Sequence, residues 1–444
     1  MPNKFSLGVL QTFGDPYWFE DTYPENVGDW RTGQHFVDLA RQLEQAKLDF
    51  SFFLDIQSVV RSADGSMDAA LKVASPLSDP MYLMPLLAQA TEHIGLISTA
   101  STTFYPPFML ARAFSTLDSV SGGRIGWNIV TSYEEGEALN YGLTEVPEHD
   151  ERYDRADEFV ELTRKLWESW EPEAVVRDLE TRTYTDGSKV HSVDHVGKYF
   201  RSRGPLPTGR SPQGVPFLAQ AGASPRGRDF AAKHAELTFV NSAGISIDDL
   251  RATREDLRER ASKHGRNPDD LNVTYSVLLK FLPDDFDQSK PLPVPEQEFD
   301  FAMLAMSQTL NTDLSQFPLD EPFPVDTPPT GLLSMFEDFV AASRRGLTLR
   351  DAVIQTFVGA DPQQPAKDAP GFHGTPEQVA DKIIEFMDQI GGDGVMLTGD
   401  IGYGAEFQER FAERFMPRLR EAGVVRSHYL EGATLRESMR ALRG

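Results

Sequence analysis

Residues 219–232 (AQAGASPRGRDFAA) combine the residue types that can bind a phosphate group. The pattern predicts a strand that ends near Gly222, a tight turn, and a helix with Ser224 as its N-cap and a proline at its first position. The first N–H groups of a helix have no intrahelical partners, and the helix dipole favours an anion beside them. The predicted phosphate socket comprises Gly222, Ala223, Ser224, Arg226 and Arg228. An ordinary capped helix is the alternative.

Further polar side chains fall where predicted strands end. Asp55 lies in one such ending, Thr99 and Ser101 in the next, and Asn128 in a third. Most are neutral hydrogen-bonding groups, which suits a flat polar heterocycle with a phosphate tail and favours a flavin. Each residue also has a structural reading, because a strand-end Asp often caps a helix, Thr is a good β-former, and Asn128 would fit as a hydrogen-bonded core amide.

Other kinds of site find little support in the sequence. There is no H-E-x-x-H pattern, no G-x-S-x-G elbow and no Walker A loop. The chain has no cysteine, which excludes disulfides, thiolate metal ligands and a cysteine nucleophile. We therefore predict no metal site, and metal-dependent hydrolysis is disfavoured.

Eight short apolar runs alternate with longer helical patterns along the chain. The predicted strands are 4–11, 50–56, 94–102, 124–132, 215–222, 236–242, 271–281 and 393–400. Eight strand–helix units favour an α/β fold of the (β/α)₈ TIM-barrel type, whose sites lie at the carboxyl ends of the strands. A doubly wound open sheet is the alternative.

Apolar periodicity predicts helices over 35–48, 82–93 and 151–169. On the third helix, Tyr153 falls on the apolar face, which favours a place in the core. His149 precedes Asp150, an acceptable N-cap, and is expected to be exposed. In the last unit, Thr375 and Gln378 form a capping-box pattern and Gly391 ends the helix.

The chain is predicted to be one domain, 1–444, with additions to the barrel. Residues 171–214 and 283–330 are long, irregular and partly proline-rich, which favours insertions that cover the barrel mouth. The aromatic residues of a predicted lid are Phe299, Phe301, Phe317, Phe323 and Phe336. Residues 404–443 are predicted as extra helices outside the barrel.

Charge and hydropathy limit the partners that we expect. Lys and Arg number 43 against 68 Asp and Glu, so the formal net charge is −25. Such a surface repels nucleic acid but still permits a local site for a small phosphate-bearing ligand. No run approaches the length of a membrane span, and the N-terminus lacks a signal-peptide pattern. We expect a soluble, cytoplasmic protein without nucleic-acid or membrane partners.

Several motifs together carry a family resemblance. They are SGGRIGWNIVTS (121–132), EALNYG (137–142), HDERYDRADEFVELTRKLWESW (149–170) and QAGASPRG (220–227), with STASTTFYPPFMLAR (98–112) and GTPEQVAD (374–381) in support. Over most of residues 1–420 the chain resembles the nitrilotriacetate monooxygenase component A and dibenzothiophene-sulfone monooxygenase family, a branch of the bacterial-luciferase-like flavin monooxygenases. The resemblance implies a TIM barrel with large insertions. It also implies FMN contacts from Asp55, Ser101, His149, Tyr153 and Ser224, with Asn128 beside the isoalloxazine.

The activity that the resemblance implies is two-component. A separate NAD(P)H:flavin reductase would supply FMN in its reduced form (FMNH₂), and O₂ would react by way of a C4a-(hydro)peroxyflavin to oxygenate a small organic substrate. His149 or Tyr153 would provide any general acid. The family leaves the substrate open and implies a homodimer or homotetramer. An oxidoreductase that uses the deazaflavin F420 and a non-enzymatic flavin-binding protein remain alternatives.

Overall fold

The computed structural model describes residues 4–15, 29–59, 61, 67, 71, 75–242, 245–310, 312–326, 333–358, 364–366, 371–399, 401 and 404–442. Its central feature is a parallel sheet in which eight strands close into a barrel. These strands are β1 Ser6–Thr12, β2 Phe50–Leu54, β3 Gly95–Ser101, β4 Ile125–Val130, β5 Phe217–Gln220, β6 Leu237–Asn241, β7 Asn272–Phe281 and β8 Gly394–Gly399. Each lies largely within one of the predicted runs, so the strand predictions are confirmed.

Two pairings close the ring. Strand β1 pairs in parallel with β8, with Ser6 opposite Gly394, and β6 pairs with β7, with Leu237 opposite Asn272. An open sheet has two free edges, so this closure confirms the (β/α)₈ barrel and excludes the doubly wound alternative. A short strand, Phe372–Gly374, adds to the far end of β7.

Helices follow the strands and surround the barrel. The described α-helices are α1 Gln34–Gln45, α2 Met84–Ala90, α3 Pro107–Val120, α4 Glu135–Asn140, α5 His149–Trp167, α6 Pro225–His234, α7 Ile247–Lys263, α8 Glu296–Thr309, α9 Leu333–Arg344, α10 Leu349–Val353, α11 Pro376–Ile390, α12 Gly404–Glu406, α13 Met416–Glu421 and α14 Leu435–Arg440. Two π-helical stretches, Ile354–Val358 and Phe407–Phe415, are continuous with their neighbours. Helix α1 stops short of the predicted end at 48, because Lys47 adopts a left-handed conformation (φ 63°).

Local capping predictions are confirmed in α11. Thr375 and Gln378 form the reciprocal capping box, and Gly391 ends the helix in the left-handed region (φ 65°). On α5, the predicted apolar face is buried along its whole length. It packs on Trp127 of β4, whose ring lies 5.8 Å from that of Phe159.

Alternate residues of the strands face the barrel interior and form a separate apolar cluster. Its strand members include Phe50, Phe52, Ile97, Phe217, Ala219, Leu237 and Met396. Leu435 and Met439 of α14 complete it from below, so this C-terminal helix plugs the amino-terminal end of the barrel.

The segments outside the barrel have their own structure. Residues 171–214 contain two antiparallel strand pairs, Val175–Asp178 with Thr183–Thr185 and His195–Val196 with Arg201–Ser202. Helices α8 to α10 surround a second hydrophobic core that buries Phe299, Phe323 and Phe336. Residues 311, 327–330, 400 and 443, which belong to predicted segments, lie outside the described part of the chain. The single-domain assignment and the lid role of these insertions stay predictions.

None of the helices within the described ranges is long and apolar enough to cross a membrane.

Candidate functional site

The turn between β5 and α6 has the local structure that its sequence predicts. Ser224 is the N-cap, with an extended backbone (φ −65°, ψ 158°), and Pro225 is the first helical residue. The Ser224 hydroxyl accepts a hydrogen bond from the Gly227 N–H at 3.0 Å. The other N–H groups of this first turn lie at the carboxyl end of the barrel, and α6 is long enough to favour an anion there.

Close backbone contact explains the two glycines of this turn. A Cβ atom added at Gly222 would lie 2.7 Å from the Gly227 Cα, closer than any ordinary contact. A Cβ at Gly227 would lie 2.7 Å from the hydroxyl of Tyr153. The phenol of Tyr153 therefore lies directly against the first turn of α6, and neither glycine can be enlarged without moving the turn.

His149 and Tyr153 reach this turn from α5. The His149 Nε2 atom lies 3.2 Å from the Ser224 hydroxyl, and its Nδ1 lies 2.7 Å from Asp150. The His149 side chain is 47% exposed, as predicted, whereas Tyr153 is buried. Burial raises the pKa of the Tyr153 phenol, so it stays protonated and can donate a hydrogen bond at neutral pH. The prediction of Asp150 as N-cap is wrong, because the helix begins at His149 with Glu148 before it.

The two arginines predicted for the phosphate socket have acidic partners on neighbouring helices. Arg226 forms ion pairs with Asp157 (2.6 Å) and Asp154 (3.2 Å) of α5. Arg228 pairs with Asp256 of α7 at 2.8 Å. The absence of acids near them in sequence was misleading, because their partners come from neighbouring helices. Both guanidinium charges are thus balanced within the protein, and Arg228 also donates to the Ala223 carbonyl of the turn at 2.8 Å, so their contact with a phosphate stays a prediction.

Inside the barrel, Thr99 and Asn128 form a buried polar pair. The Asn128 amide nitrogen donates to the Thr99 hydroxyl (2.8 Å), which donates to the Phe53 carbonyl (2.7 Å). The Asn128 carbonyl oxygen is buried without a hydrogen-bond partner in the described structure. An unpartnered buried acceptor costs free energy, so this amide is only half satisfied as a core group and can accept an N–H from a ligand.

Ser101 links the interior to α5. Its hydroxyl accepts a hydrogen bond from the Ser132 hydroxyl at 2.9 Å. The backbone carbonyl of Ser132 in turn accepts a hydrogen bond from Arg152, the residue before Tyr153. A chain of polar contacts therefore runs from β3 through the end of β4 to the start of α5.

Asp55 lies beside a second carboxylate at the end of β2. Gln57 bridges the two, because its side-chain amide donates to Asp55 (2.6 Å) and its backbone N–H donates to Glu137 (2.8 Å). Burial raises the pKa of Asp55 to about 6, against the opposing hydrogen bond from Gln57, and the charges of Asp79 and Glu137 add to the increase. Asp55 thus titrates close to neutral pH.

This pKa predicts a pH-dependent effect of Asp55→Asn on stability. The folded chain holds the Asp55 proton to about pH 6, whereas the unfolded chain releases it near 3.8, so wild-type stability falls as pH rises between these values. Asn cannot ionise. We therefore expect the melting temperature of Asp55→Asn, relative to wild type, to be higher at pH 7.5 than at pH 5.

Calorimetry at the two pH values would measure this difference, with the exposed Asp300→Asn on α8 as a control. If Asp55→Asn changed the melting temperature equally at both pH values, the result would contradict the raised pKa of Asp55 that burial causes.

The structure brings most of the predicted site residues to one end of the barrel. His149, Tyr153 and Ser224 form one group with the Gly222 turn, where Ala223 is exposed, and Thr99, Ser101 and Asn128 form the second. Asp55 has no direct hydrogen bond to either group among the described contacts. Sequence reasoning missed Gln57, Glu137 and Arg152. Arg152 was detectable, since it precedes Ala156 by four residues and so places a cation on the apolar face of α5.

Comparison with known proteins identifies the family and supports the fold. Residues 20–285 match the family model described as luciferase-like monooxygenase. The chain is 34% identical to dibenzothiophene-sulfone monooxygenase of Rhodococcus erythropolis, over 93% of this chain and 90% of the relative. It is also 34% identical to nitrilotriacetate monooxygenase component A of Aminobacter aminovorans, over 98% and 96%. The crystal structure of a riboflavin lyase with modified FMN and riboflavin superposes with a TM-score of 0.80 and 32% identity, over 99% and 96%.

The barrel and these matches define the class: the chain belongs to the luciferase-like monooxygenase family and is a flavin-dependent monooxygenase. Within that family it is similar over nearly its whole length to the dibenzothiophene-sulfone and nitrilotriacetate enzymes. The resemblance drawn from the sequence motifs is therefore confirmed.

Proposed function

We propose that this chain is the oxygenase component of a two-component system, which uses reduced FMN (FMNH₂) and O₂ to oxygenate a small organic substrate. The observation that carries the proposal is that the half-satisfied Asn128 amide and the open first turn of α6 lie at the same end of a barrel of this family. One offers an acceptor for a ring N–H, and the other offers donors for a phosphate.

The residues present fit FMN. We assign the phosphate to the Gly222–Ala223–Ser224 turn, with the Tyr153 hydroxyl and His149 beside it. We assign the isoalloxazine to Asn128, Thr99 and Ser101, with Asp55 at its edge. The interior groups are fixed by hydrogen bonds to neighbouring strands, so the site is formed in advance and loses little conformational entropy on binding.

When bound, reduced FMN supplies two electrons, with which O₂ yields one oxygen atom to the substrate and one to water. The chain itself must orient the ring, hold the phosphate and keep bulk water out. The protonated phenol of Tyr153 and the imidazole of His149 are the candidate proton donors, as predicted from the sequence. Helices α8 to α10 are proposed as the cover over the barrel mouth.

The proposal includes partners and a location. A separate NAD(P)H:flavin reductase would supply the reduced flavin, because one relative is named as component A of a nitrilotriacetate monooxygenase. The chain would act in the cytoplasm, where NAD(P)H is available, as a homodimer or homotetramer. The names of the relatives cover a sulfone and an aminopolycarboxylate, so they fix the type of reaction and leave the substrate open.

Flavin titration tests the proposal and separates its alternatives. We expect the purified chain to quench FMN fluorescence on binding and to consume O₂ with a substrate only when a flavin reductase and NAD(P)H are present. Tighter binding of F420 than of FMN would favour the deazaflavin alternative. Flavin binding without turnover over a panel of sulfones, amines and alkanes would favour a binding protein, and failure to bind any flavin would reject the proposal.

Ser224→Ala is expected to weaken FMN binding by about 1–2 kcal/mol, the scale of one hydrogen bond to a charged group. Calorimetric titration of both proteins with FMN measures the change. Ser246→Ala is a matched control, because the Ser246 hydroxyl caps α7 in the same way, by accepting a hydrogen bond from the Asp249 N–H. Equal FMN affinities of wild type and Ser224→Ala would show that Ser224 caps the helix and does not contact the ligand.

A further inference from the structure

Residues 175–185 form a two-stranded arm that the rest of the described chain leaves uncovered. Its two strands pair in antiparallel order, and every residue from 175 to 184 is exposed. The base of the arm is fixed, because Ala174 is buried and its carbonyl accepts a hydrogen bond from the Asp186 N–H at 2.8 Å. A pair of strands on its own is only marginally stable in water, so the arm would gain stability from a surface that covers it.

The exposed side chains of the arm are of the types that form protein interfaces. Leu179 is 80% exposed and Tyr184 is 65% exposed, and Val175 and Val176 are exposed as well. The Arg177 guanidinium lies over the Tyr184 ring, 6.0 Å from its centroid, so a cation and an aromatic ring share one face. Tyr and Arg are enriched in interfaces, and neighbouring exposed apolar residues indicate a binding surface.

Arg177 and Arg182 are the unpaired cations of the arm. No carboxylate within the described ranges forms an ion pair with either of them. Both have a left-handed backbone (φ 53° and 56°), which glycine adopts more readily, so the chain keeps these side chains at an energetic cost. Residues 171–214, to which the arm belongs, hold seven Lys and Arg against six Asp and Glu, whereas the whole chain has a net charge of −25. The arm is therefore part of a weakly positive segment of a strongly acidic protein.

The second insertion, residues 283–330, has the opposite charge. It holds ten Asp and Glu against one Lys. Its exposed acids that form none of the ion pairs of the described chain include Asp320, Glu321 and Asp326. These three lie in an acidic loop, residues 318–326, which is anchored by Phe323 in the second hydrophobic core. Val325 adds an exposed apolar group to the same loop.

We propose that the arm binds the acidic loop of a second copy of this chain. Arg177 and Arg182 pair with the carboxylates of the loop, and Leu179 packs on Val325. Because each copy carries both parts, two such contacts form about a twofold axis and close the assembly. Opposite charges at the contact offset the repulsion between two molecules that are both strongly acidic. The inference rests on the proposed function only for the expectation of a homo-oligomer.

Sedimentation equilibrium of charge-reversed variants tests the contact. We expect wild type to associate, and Arg177→Glu with Arg182→Glu to raise the dissociation constant of one association step about tenfold or more. Asp320→Arg with Glu321→Arg should have the same effect. A chain that carries all four reversals again has opposite charges across the contact, so its dissociation constant should return to within about threefold of the wild-type value.

A second variant tests the apolar part of the contact. Leu179→Asp should also weaken association. Leu430→Asp is the matched control, because Leu430 is likewise exposed but lies outside both insertions, and we expect it to associate as wild type does. The altered arm residues are exposed, so the melting temperatures of the dissociated variants should stay close to that of dissociated wild type. Agreement of these temperatures separates loss of the contact from loss of the fold.

The outcomes distinguish this proposal from the proposed function. Unchanged dissociation constants in the arm variants, or a fourfold reversal that does not restore association, would overturn the contact. Loss of binding to the flavin reductase with an unchanged oligomer would assign the arm to that partner and overturn it too. A monomeric wild type at every protein concentration would overturn the contact and the expected homo-oligomer, whereas oxygenation with FMN and a reductase decides the activity separately.

Discussion

Gly222→Ala is expected to reduce FMN affinity about ten- to a hundredfold, the effect of losing a hydrogen bond to a charged group. The added Cβ would lie 2.6–2.7 Å from three backbone atoms of Gly227, and backbone cannot rotate away as a flexible side chain can. The turn must therefore separate from α6, which moves Ser224 and breaks its contact with the anion. Overpacking of this kind also costs about 1–3 kcal/mol of folding free energy.

Calorimetric titration with FMN and thermal unfolding measure the two effects. Gly187→Ala is the control, since no atom lies within 4 Å of a Cβ built there, and we expect both quantities to stay unchanged. Wild-type FMN affinity in a folded Gly222→Ala protein would show that the ligand does not depend on this turn.

Arg426→Leu is expected to destabilise the fold by about 3–5 kcal/mol, the range for removing one partner of a buried ion pair. Arg426 and Asp49 are respectively 5% and 3% exposed. The second carboxylate oxygen of Asp49 accepts a hydrogen bond from the Leu7 N–H. Arg426 also donates a hydrogen bond to the Ser438 carbonyl. The pair therefore joins strand β1 and the entry to β2 to the C-terminal segment, and its loss leaves a buried carboxylate without a counter-charge.

Chemical unfolding of a variant series tests this assignment. Asp49→Asn in the Arg426→Leu background removes the orphaned charge, so the double variant should be more stable than Arg426→Leu alone. The loss in unfolding free energy of Arg426→Leu relative to wild type should also be smaller at acidic pH. Burial raises the pKa of Asp49, so protonation removes the charge of its carboxylate there. A double variant no more stable than the single one would contradict the explanation.

Local features of this protein could be read from the sequence because they depend on neighbouring residues. The Ser224 cap, the capping box at Thr375 and the left-handed Gly391 each involve atoms within a few positions, and all are present in the structure. The barrel was predictable for a related reason, since alternating strand and helix patterns leave few ways to bury both faces of a sheet.

The charges around the site could not be predicted in this way. Arg226 and Arg228 are far in sequence from Asp157 and Asp256, and only the packing of α6 against α5 and α7 makes them partners. The lack of nearby acids in the sequence therefore gave no sign that both arginines are paired, and the anion site at α6 stays a prediction. The second core of α8 to α10 was missed because its apolar residues lie among prolines and acids.

The position of α14 at the amino-terminal end of the barrel has a consequence for folding during synthesis. Leu435 and Met439 fill the base of a cluster whose other members come from strands throughout the barrel, and the Phe5 N–H donates to the Val424 carbonyl at 2.9 Å. A nascent chain on the ribosome therefore leaves the interior phenylalanines of β2, Phe50 and Phe52, incompletely covered until α14 has emerged. Truncation before Leu435 should therefore lower the yield of folded protein through aggregation, and not merely lower the activity of a folded enzyme.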